Sequence, residues 1–347
     1  MRVNQTSINR SSKPFVIAEL SANHGGSIKR AKDSITMAKK ADVSAVKIQT
    51  YTPDTMTINC NLPDFLVKEG LWSGRNLYEL YSEAYTPFEW HEELFEHAKN
   101  CGVTIFSTPF DETAVDLLES LGTPAYKIAS FEIVDLPLIK YIARKNKPIF
   151  MSTGMASMSE IEDAVRVVRE NSDSDLLLFH CISSYPAITA DSNLNNLTWL
   201  AETFGVEVGL SDHTTNNIAA VTAIGMGAVA IEKHFKLDNE ECGPDSSFSL
   251  SIDELSKLVN DCNNAWTAKG TVSFNRSCSE TQNLIFRRSI YFIKSLKKGQ
   301  KISEQDIRRI RPGFGLAPKY FDNLIGRELA VDVNPGDAAT FDVLVEK

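Results

Sequence analysis

The chain alternates short, almost continuously apolar segments with longer amphipathic ones. The apolar segments are FVIAEL (15–20), SAVKIQ (44–49), VTIFS (103–107), AYKIAS (125–130), PIFMS (148–152), LLLFHCI (176–182), VEVGLS (206–211) and AVAIEKHF (228–235). Parallel strands that are buried on both faces have this near-continuous apolar character. The pattern therefore predicts eight buried parallel strands.

The stretches between these segments have the periodicity of amphipathic helices. One of them, SEIEDAVRVVREN, carries a capping signature at Ser157, Ser159 and Glu160, so we predict a helix beginning near Ile161. Eight strand–helix units within about 270 residues match an α/β fold of the (β/α)8 TIM-barrel type. A doubly wound open sheet is the alternative, but it more often has five or six strands and a glycine-rich first turn, which this sequence lacks.

Two regions depart from the repeating pattern. Residues 50–86 form an unusually long connection, and connections of this length inside a domain are usually functional or disordered. After residue 270 the chain becomes polar, and two strand-like runs follow, with turns at Lys298–Gly299 and Pro335–Gly336. We predict a barrel domain over 1–270, a linker over 271–284 and a small, mostly β domain over 285–347.

Composition excludes some partners and suggests a location. The formal net charge of -9 disfavours nucleic acid and anionic membranes, so an anionic substrate would need a local cluster of basic groups. The six cysteines form no CxxC pair and are scattered along the chain, as in a reducing compartment. No apolar run has the form of a signal peptide or a membrane span. We therefore expect a cytoplasmic protein.

Polar and ionisable side chains follow the apolar segments, and the carboxyl ends of barrel strands are where catalytic residues lie. In chain order they are Glu19, Asn23, His24, Lys47, Gln49, Thr108, Lys127, Ser130, Glu132, Ser152, Thr153, Ser183, Ser184, Tyr185, Ser211, Asp212, His213, Glu232 and His234. Any one of them could be a structural group. Their accumulation at one end of all eight strands instead predicts an active site.

Two histidines end neighbouring strands, in GLSDHT (209–214) and AIEKHF (230–235). They could be hydrogen-bonded core residues. If the two strand ends converge, however, His213 and His234 would suit a divalent first-row ion and leave positions open for water and substrate, as Lewis-acid catalysis requires. Asp212 or Glu232 could supply a third ligand.

Two lysines lie at strand ends, where burying a charge is costly. Lys47 and Lys127 could form structural ion pairs with glutamates, bind an anionic substrate together with nearby hydroxyls, or provide a Schiff-base amine. Two lysines among several hydroxyls suit a substrate that carries both a phosphate and a carboxylate. Glu132 and Glu19 could act as a base and a sugar-hydroxyl anchor, or could be structural.

With these residues in place, the chain resembles the sialic acid synthase family, whose members condense phosphoenolpyruvate with amino sugars to make nonulosonic acids. The motifs that carry the resemblance are FVIAELSANHGG, AVKIQTYTPDTMT, FSTPFD, AYKIASFEI, MSTGM, SSYPA, GLSDHT, AIEKHF and GPDSSFSL. It continues through FRRSIYFIKSLKKGQKIS and IRRIRPGFGLAPKY, which look like the antifreeze-like (SAF) domain of these enzymes. The resemblance covers almost the whole chain.

The resemblance implies a role for each candidate residue. His213 and His234 match metal ligands, with Mn2+ expected and Mg2+ or Co2+ as alternatives, and Glu132 matches the carboxylate near the attacking water, with Lys127 beside it as a catalytic group. The phosphoenolpyruvate contacts match Lys47, Thr108, Lys127, Ser130, Ser152, Ser183 and Ser211. The sugar contacts match Glu19, Tyr185, Glu232 and Asp245. Arg311 matches an arginine that the SAF domain of one subunit places in the barrel of the other, which implies a domain-swapped homodimer.

Within the family, several stretches are most similar to the pseudaminic acid synthases, which use an open-chain 2,4-diacetamido-2,4,6-trideoxy-hexose of altro configuration. Ser183 also stands where the N-acetylneuraminate synthases usually carry asparagine. An N-acetylneuraminate or legionaminate synthase acting on a manno-configured sugar is the alternative. More distant alternatives are a Schiff-base pyruvate aldolase and a non-catalytic sugar-binding protein.

Overall fold

The computed structural model describes residues 1–237 and 243–346. The chain divides into two compact units, Met1–Gly270 and Thr271–Lys347. In the described residues no helix is long and apolar enough to cross a membrane. The cytoplasmic location stays a prediction.

The first unit is a closed barrel of eight parallel strands, so the predicted (β/α)8 fold is confirmed. A short hairpin of β1 (Arg2–Val3) and β2 (Thr6–Ser7) precedes the barrel. The barrel strands are β3 Phe15–Glu19, β4 Ala45–Thr50, β5 Thr104–Pro109, β6 Tyr126–Ile128, β7 Ile149–Ser152, β8 Leu176–Cys181, β9 Glu207–Asp212 and β10 Ala230–His234. They pair in sequence order, and β10 closes the ring against β3.

Helices cover the outside of the barrel. They are α1 Ile28–Lys40, α2 Pro53–Met56, α3 Leu77–Ala84, α4 His91–Cys101, α5 Glu112–Ser120, α6 Leu136–Ala143, α7 Met158–Asn171, α8 Asn195–Phe204, α9 Ile218–Gly225 and α10 Ile252–Lys269. Helix α7 begins at Met158, earlier than the predicted start near Ile161, because Ser157 is the N-cap and Glu160 completes a capping box with it.

An apolar layer fills the lower part of the barrel. Phe150 stacks on Phe15 and Phe106, with ring centroids 6.1 and 5.3 Å apart, and Phe179 lies 5.8 Å away. Below these rings, the β1–β2 hairpin inserts Val3, which is fully buried. The polar side chains of the same strands therefore collect above an apolar floor, at the C-terminal end of the barrel.

The second unit contains β11 (Ser289–Phe292), β12 (Ile307–Ile310) and the short helices α11 (Cys278–Thr281) and α12 (Phe321–Leu324). Its strand pairing differs from the hairpin predicted around Lys298–Gly299, whereas Leu329 and Leu344 form an antiparallel bridge across the turn predicted at Pro335–Gly336. Strand β11 pairs antiparallel with β12, and the later run makes only isolated bridges, such as Leu296 with Val333. A small apolar core that includes Ile290, Phe292 and Leu329 holds these pieces together.

The cysteines of the described residues, Cys60, Cys101, Cys181, Cys262 and Cys278, are all free thiols. Cys242 lies outside the described residues.

Candidate active site

Four charged side chains of alternating sign cross the barrel above the aromatic layer. Lys47 Nζ lies 2.7 Å from Glu19 Oε2 and 3.8 Å from Glu232 Oε1. On the other side, Lys127 Nζ donates to both carboxylate oxygens of Glu232, at 2.8 and 3.0 Å. All four side chains are almost fully buried. The two lysines predicted at strand ends therefore belong to one network.

The network shifts the pKa values of the two lysines in opposite directions. Burial alone would lower the pKa of Lys47, but the carboxylates of Glu19 and Glu232 outweigh it and raise that pKa. For Glu232, burial is outweighed by Lys127 and Lys47, so the pKa of its carboxyl is lowered. Burial lowers the pKa of Lys127, although two neighbours favour its ammonium form. One is the Glu232 carboxylate, and the other is the Phe179 ring, whose centroid lies 5.1 Å from Lys127 Nζ. An ion-paired ammonium suits anion binding better than Schiff-base chemistry.

Hydroxyl groups extend this basic site. Thr108 Oγ1 accepts from Lys47 Nζ at 2.9 Å, and Ser211 Oγ donates to Glu232 Oε1 at 3.2 Å. Ser130 Oγ accepts from the Gly154 amide at 3.2 Å. The Ser152 hydroxyl is buried at the end of β7, and none of the described residues hydrogen-bonds to it.

Gly154 lets the backbone approach these hydroxyls closely. A Cβ at this position would collide with the hydroxyls of Ser130 and Ser183. The two serines and the glycine thus form a cradle of small groups, as expected where a backbone must approach an anion.

Glu132 is not on a strand but in a 3₁₀ turn, Ser130–Val134, that follows β6. Its Oε2 atom is inaccessible to solvent and has no hydrogen-bond partner in the part of the chain that the structure describes. Burial raises the pKa of Glu132 to about 7, which Lys127 and Lys47 only partly oppose. A carboxyl group with a pKa near neutrality can accept a proton at physiological pH.

His213 and His234 come together as predicted, with ring centroids 5.4 Å apart. His213 Nδ1 lies 2.9 Å from the Ile182 carbonyl oxygen, so this nitrogen donates a hydrogen bond and Nε2 is the ring nitrogen available to an ion. His234 Nδ1 is buried, has no hydrogen-bond partner within residues 1–237 and 243–346, and lies 3.8 Å from Asp245 Oδ2. Burial holds the pKa of His234 well below its usual value, which leaves a neutral imidazole.

These two histidines fit a divalent ion, but they bring no third ligand. Across residues 1–237 and 243–346, no group of three or more histidine, cysteine, aspartate or glutamate side chains could hold a metal. The two carboxylates considered as third ligands are both engaged, because Asp212 binds Lys233 at 2.5 Å and Glu232 binds Lys127. Any ion held here would keep most of its coordination sites for water and substrate.

An aromatic wall encloses the histidine pair. The Tyr185 ring lies 4.5 Å from His213 and 5.1 Å from Phe248. On its other side Tyr185 contacts Trp72, at 5.6 Å, and Trp72 Nε1 donates to the Pro244 carbonyl oxygen at 3.1 Å. Trp72 therefore places the long connection of residues 50–86 against the barrel mouth.

Asp245, which lies beside His234, also belongs to the site. Ser21 Oγ donates to its Oδ2 atom at 2.5 Å, and Gln49 Nε2 donates to Ser21 Oγ at 2.9 Å and to Glu19 Oε1 at 3.1 Å. Burial raises the pKa of Asp245. This hydrogen-bonded chain connects Asp245 with the ion-pair network.

The barrel thus brings the predicted lysines, glutamates, histidines, Tyr185 and Asp245 to one end, whereas Asn23, His24, Thr153 and Ser184 bond to other groups and Arg311 is an exposed residue of the second unit. Sequence reasoning gave no role to Ser21, Trp72, Phe248, Cys181 or Lys233. Cys181 is in the site because its Sγ atom lies 3.8 Å from His213 Nδ1. Phe248 and Lys233 lie within GPDSSFSL and AIEKHF, two motifs that were singled out for Asp245 and His234. Their place in these motifs was the sequence signal that could have indicated a role for them.

The model of the NeuB family matches residues 34–273, which is more than half of the chain. The chain belongs to the NeuB family. Residues 287–345 match the SAF domain, so the second unit has the small C-terminal domain expected from the resemblance.

Named NeuB-type relatives cover nearly the whole chain. A pseudaminic acid synthase of Campylobacter jejuni is 44% identical over 330 residues, which are 95% of this chain and 96% of the relative. A pseudaminic acid synthase of Helicobacter pylori is 42% identical over 91% of this chain and 93% of the relative. An N,N'-diacetyllegionaminic acid synthase of Legionella pneumophila is 37% identical over 93% and 92%.

Among solved structures, the N-acetylneuraminic acid synthetase of Leptospira borgpetersenii, crystallised with citrate, superposes on this NeuB-family chain with a TM-score of 0.73. It is 28% identical, and the match covers 82% of this chain and 94% of that one.

Proposed function

We propose that this chain is a pseudaminic acid synthase, a transferase that condenses phosphoenolpyruvate with open-chain 2,4-diacetamido-2,4,6-trideoxy-L-altrose. The observation that carries the proposal is the convergence of two histidines, two ion-paired lysines and a carboxyl group of raised pKa at one barrel mouth. The choice of sugar is supported by the pseudaminic acid synthases at 44% and 42% identity, above the legionaminic acid synthase at 37%.

Phosphoenolpyruvate would bind over the lysine network. Its phosphate and carboxylate need cations and donors, which Lys47 and Lys127 provide together with the hydroxyls of Thr108, Ser130, Ser152, Ser183 and Ser211. The carboxylates of Glu19 and Glu232 balance the two ammonium charges until the anion arrives. Gly154 leaves the space in which the anion lies beside the serine hydroxyls.

The sugar would lie between the aromatic wall and Asp245, with its aldehyde end at the two histidines. His213 Nε2 and the buried Nδ1 of His234 are suited to hold a divalent ion, for which we propose Mn2+, with Mg2+ or Co2+ as alternatives. When bound, such an ion supplies the Lewis acidity that makes an aldehyde carbon electrophilic. Glu19, Tyr185, Glu232 and Asp245 would orient the sugar's polar groups.

Bond formation then balances as an addition followed by an elimination. C3 of phosphoenolpyruvate attacks the aldehyde carbon, the aldehyde oxygen gains a proton and becomes a hydroxyl, and positive charge develops at C2. Water adds at C2 and gives a proton to Glu132, whose pKa of about 7 suits this transfer. This proton balances the one that the aldehyde oxygen gains, and the second water proton leaves with the phosphate. The tetrahedral carbon expels inorganic phosphate and leaves a nine-carbon 2-keto-3-deoxy acid.

We further propose that the protein acts as a homodimer with exchanged SAF domains. The SAF match over residues 287–345 supports this reading, and Arg311 of that domain would complete the site in the barrel of the other subunit. An exposed guanidinium is suited to bind carboxylate or phosphate groups.

The test is phosphate release from phosphoenolpyruvate with three sugars in parallel: the altro-configured pseudaminate precursor, the manno-configured legionaminate precursor and N-acetylmannosamine. Each reaction is run with Mn2+ or with excess chelator. We expect metal-dependent release with the altro sugar and little with the others. Release only with a manno sugar would contradict the proposed substrate, and full release under chelation, or by His213→Ala, would contradict the role of the metal.

A further inference from the structure

A buried ion pair lies directly behind the two histidines. Asp212 ends β9 and is the register partner of Lys233 in β10, and Lys233 Nζ lies 2.5 Å from Asp212 Oδ2. The two side chains are only 2% and 1% exposed. Side chains alternate along a strand, so this pair faces the helical layer. His213 and His234, the residues that follow Asp212 and Lys233 in the sequence, face the barrel interior.

The same ammonium group also holds the turn that carries His213. Lys233 Nζ donates to the carbonyl oxygens of Thr214, at 2.6 Å, and Asn216, at 2.9 Å. Asp212 Oδ1 in turn accepts from the Thr214 amide at 2.9 Å. An ammonium has three donors, and these acceptors with Asp212 Oδ2 use all of them. Lys233, which precedes His234, therefore binds Asp212 and Thr214, the residues before and after His213.

Removing these two charges from water costs free energy, and packing alone does not explain why the ion pair is present. A buried ion pair is often no more stabilising than apolar side chains of similar volume, so its use is better explained by the geometry it imposes. Geometry matters more here because only two histidines are available to the ion, with no third protein ligand among the described residues. A change in the spacing between β9 and β10 would separate the two rings directly.

We propose that Lys233 and Asp212 are positioning residues that set the separation of His213 and His234, and so the affinity for the divalent ion. The inference rests on the proposed function. Neither residue touches the substrate; both act through the histidines that follow them in the chain.

The experiment compares Lys233→Met and Asp212→Asn with the wild-type chain in Mn2+ titrations followed by electron paramagnetic resonance. We expect the Mn2+ dissociation constant to rise about 10- to 100-fold, the range usual for groups that orient metal ligands. The KM for phosphoenolpyruvate at saturating Mn2+ should stay unchanged, and added Mn2+ should restore kcat. Matched controls are Lys145→Met and Asp116→Asn, which break an ion pair of 2.8 Å on the outer surface and should leave Mn2+ affinity unchanged.

Thermal unfolding of each variant separates affinity from folding. If Lys233→Met does not fold, Asp212→Asn carries the test, because it keeps the side-chain shape and an oxygen acceptor for Lys233. A folded Asp212→Asn protein that binds Mn2+ with wild-type affinity would overturn the inference and leave the proposed function intact. A wild-type chain that binds no Mn2+ would overturn the inference and the proposed role of Mn2+.

Discussion

At the scale of single residues, burial decides which groups in the barrel carry charge. Lys47 stays cationic because two carboxylates accompany it into the interior. Glu132 has no such partner at its buried Oε2 atom, so its pKa rises to about 7. These two environments separate a group that binds anions from one that exchanges protons.

The first prediction concerns the pH dependence of turnover. A base must be deprotonated, so kcat should fall as the pH drops through about 7, the pKa that burial gives Glu132. Glu132→Gln should lower kcat by about 10²- to 10⁴-fold and abolish this acid limb, while phosphoenolpyruvate still binds. Glu119→Gln, on an outer helix, is the control. A Glu132→Gln enzyme that keeps near-normal turnover would remove Glu132 as the base.

The second prediction concerns the cradle at Gly154. Gly154→Ala would push a methyl group into the hydroxyls of Ser130 and Ser183, and overpacking of this kind costs about 1–3 kcal/mol. We expect the KM for phosphoenolpyruvate to rise at least about tenfold, while the KM for Mn2+ is unchanged. The control is Gly225→Ala, because among the described residues no atom outside the local helix backbone lies within 4 Å of the added Cβ there. Equal KM values for the two variants would show that the cradle does not hold the anion.

At the scale of secondary-structure elements, the barrel strands were predictable and several other pairings were not. Buried parallel strands are apolar on both faces, and this signal is strong along one chain. The β1–β2 hairpin was missed because it is short and mostly polar, and only Val3 and Ile8 show that it closes the barrel floor. The pairing of β11 with β12 was missed because turn residues at Lys298–Gly299 indicated a nearer partner.

The third prediction concerns the connection that carries Trp72. Trp72→Ala removes both the contact with Tyr185 and the hydrogen bond to Pro244, so this segment should become sensitive to limited proteolysis. The KM for the sugar should rise while the KM for phosphoenolpyruvate does not change. Trp72→Phe keeps an aromatic ring and loses one hydrogen bond, worth about 1 kcal/mol, so its effect should be smaller.

Trp199→Ala is the control for this prediction, because Trp199 is 47% exposed on helix α8. If Trp72→Ala and Trp199→Ala have the same sugar KM as wild type, Trp72 does not help to form the sugar site.

At the scale of the whole molecule, the sequence was sufficient for the fold class and for most of the candidate site. Strand alternation and the carboxyl-end rule brought out Glu19, Lys47 and the two histidines, because these residues follow local apolar segments. The contact of Trp72 with Pro244 joins residues 172 positions apart, and no local pattern encodes it. The hydrogen bonds of Lys233 Nζ to Asp212, Thr214 and Asn216 likewise could be identified only once the barrel placed β10 beside β9.

The fourth prediction concerns the role of Arg311 in the dimer. Arg311→Ala and Glu132→Gln chains should each be nearly inactive, and a chain ending at Gly270 should lose activity as well. If the SAF domain acts on the barrel of the other subunit, hybrid dimers of the two variants contain one intact site. A 1:1 mixture that has exchanged subunits should then recover about a quarter of wild-type activity. A mixture as inactive as its parts would place Arg311 within its own subunit or outside the site.

The measurement that most directly tests the proposed function is a competition in one vessel, with phosphoenolpyruvate limiting, Mn2+ present, and equal amounts of the altro- and manno-configured diacetamido sugars. The nine-carbon acid is then identified by nuclear magnetic resonance, which distinguishes the two stereoisomers. We predict pseudaminate as the main product, with one phosphate released per acid formed. A legionaminate product would contradict the proposed substrate, and phosphate release without any nine-carbon acid would contradict the condensation itself.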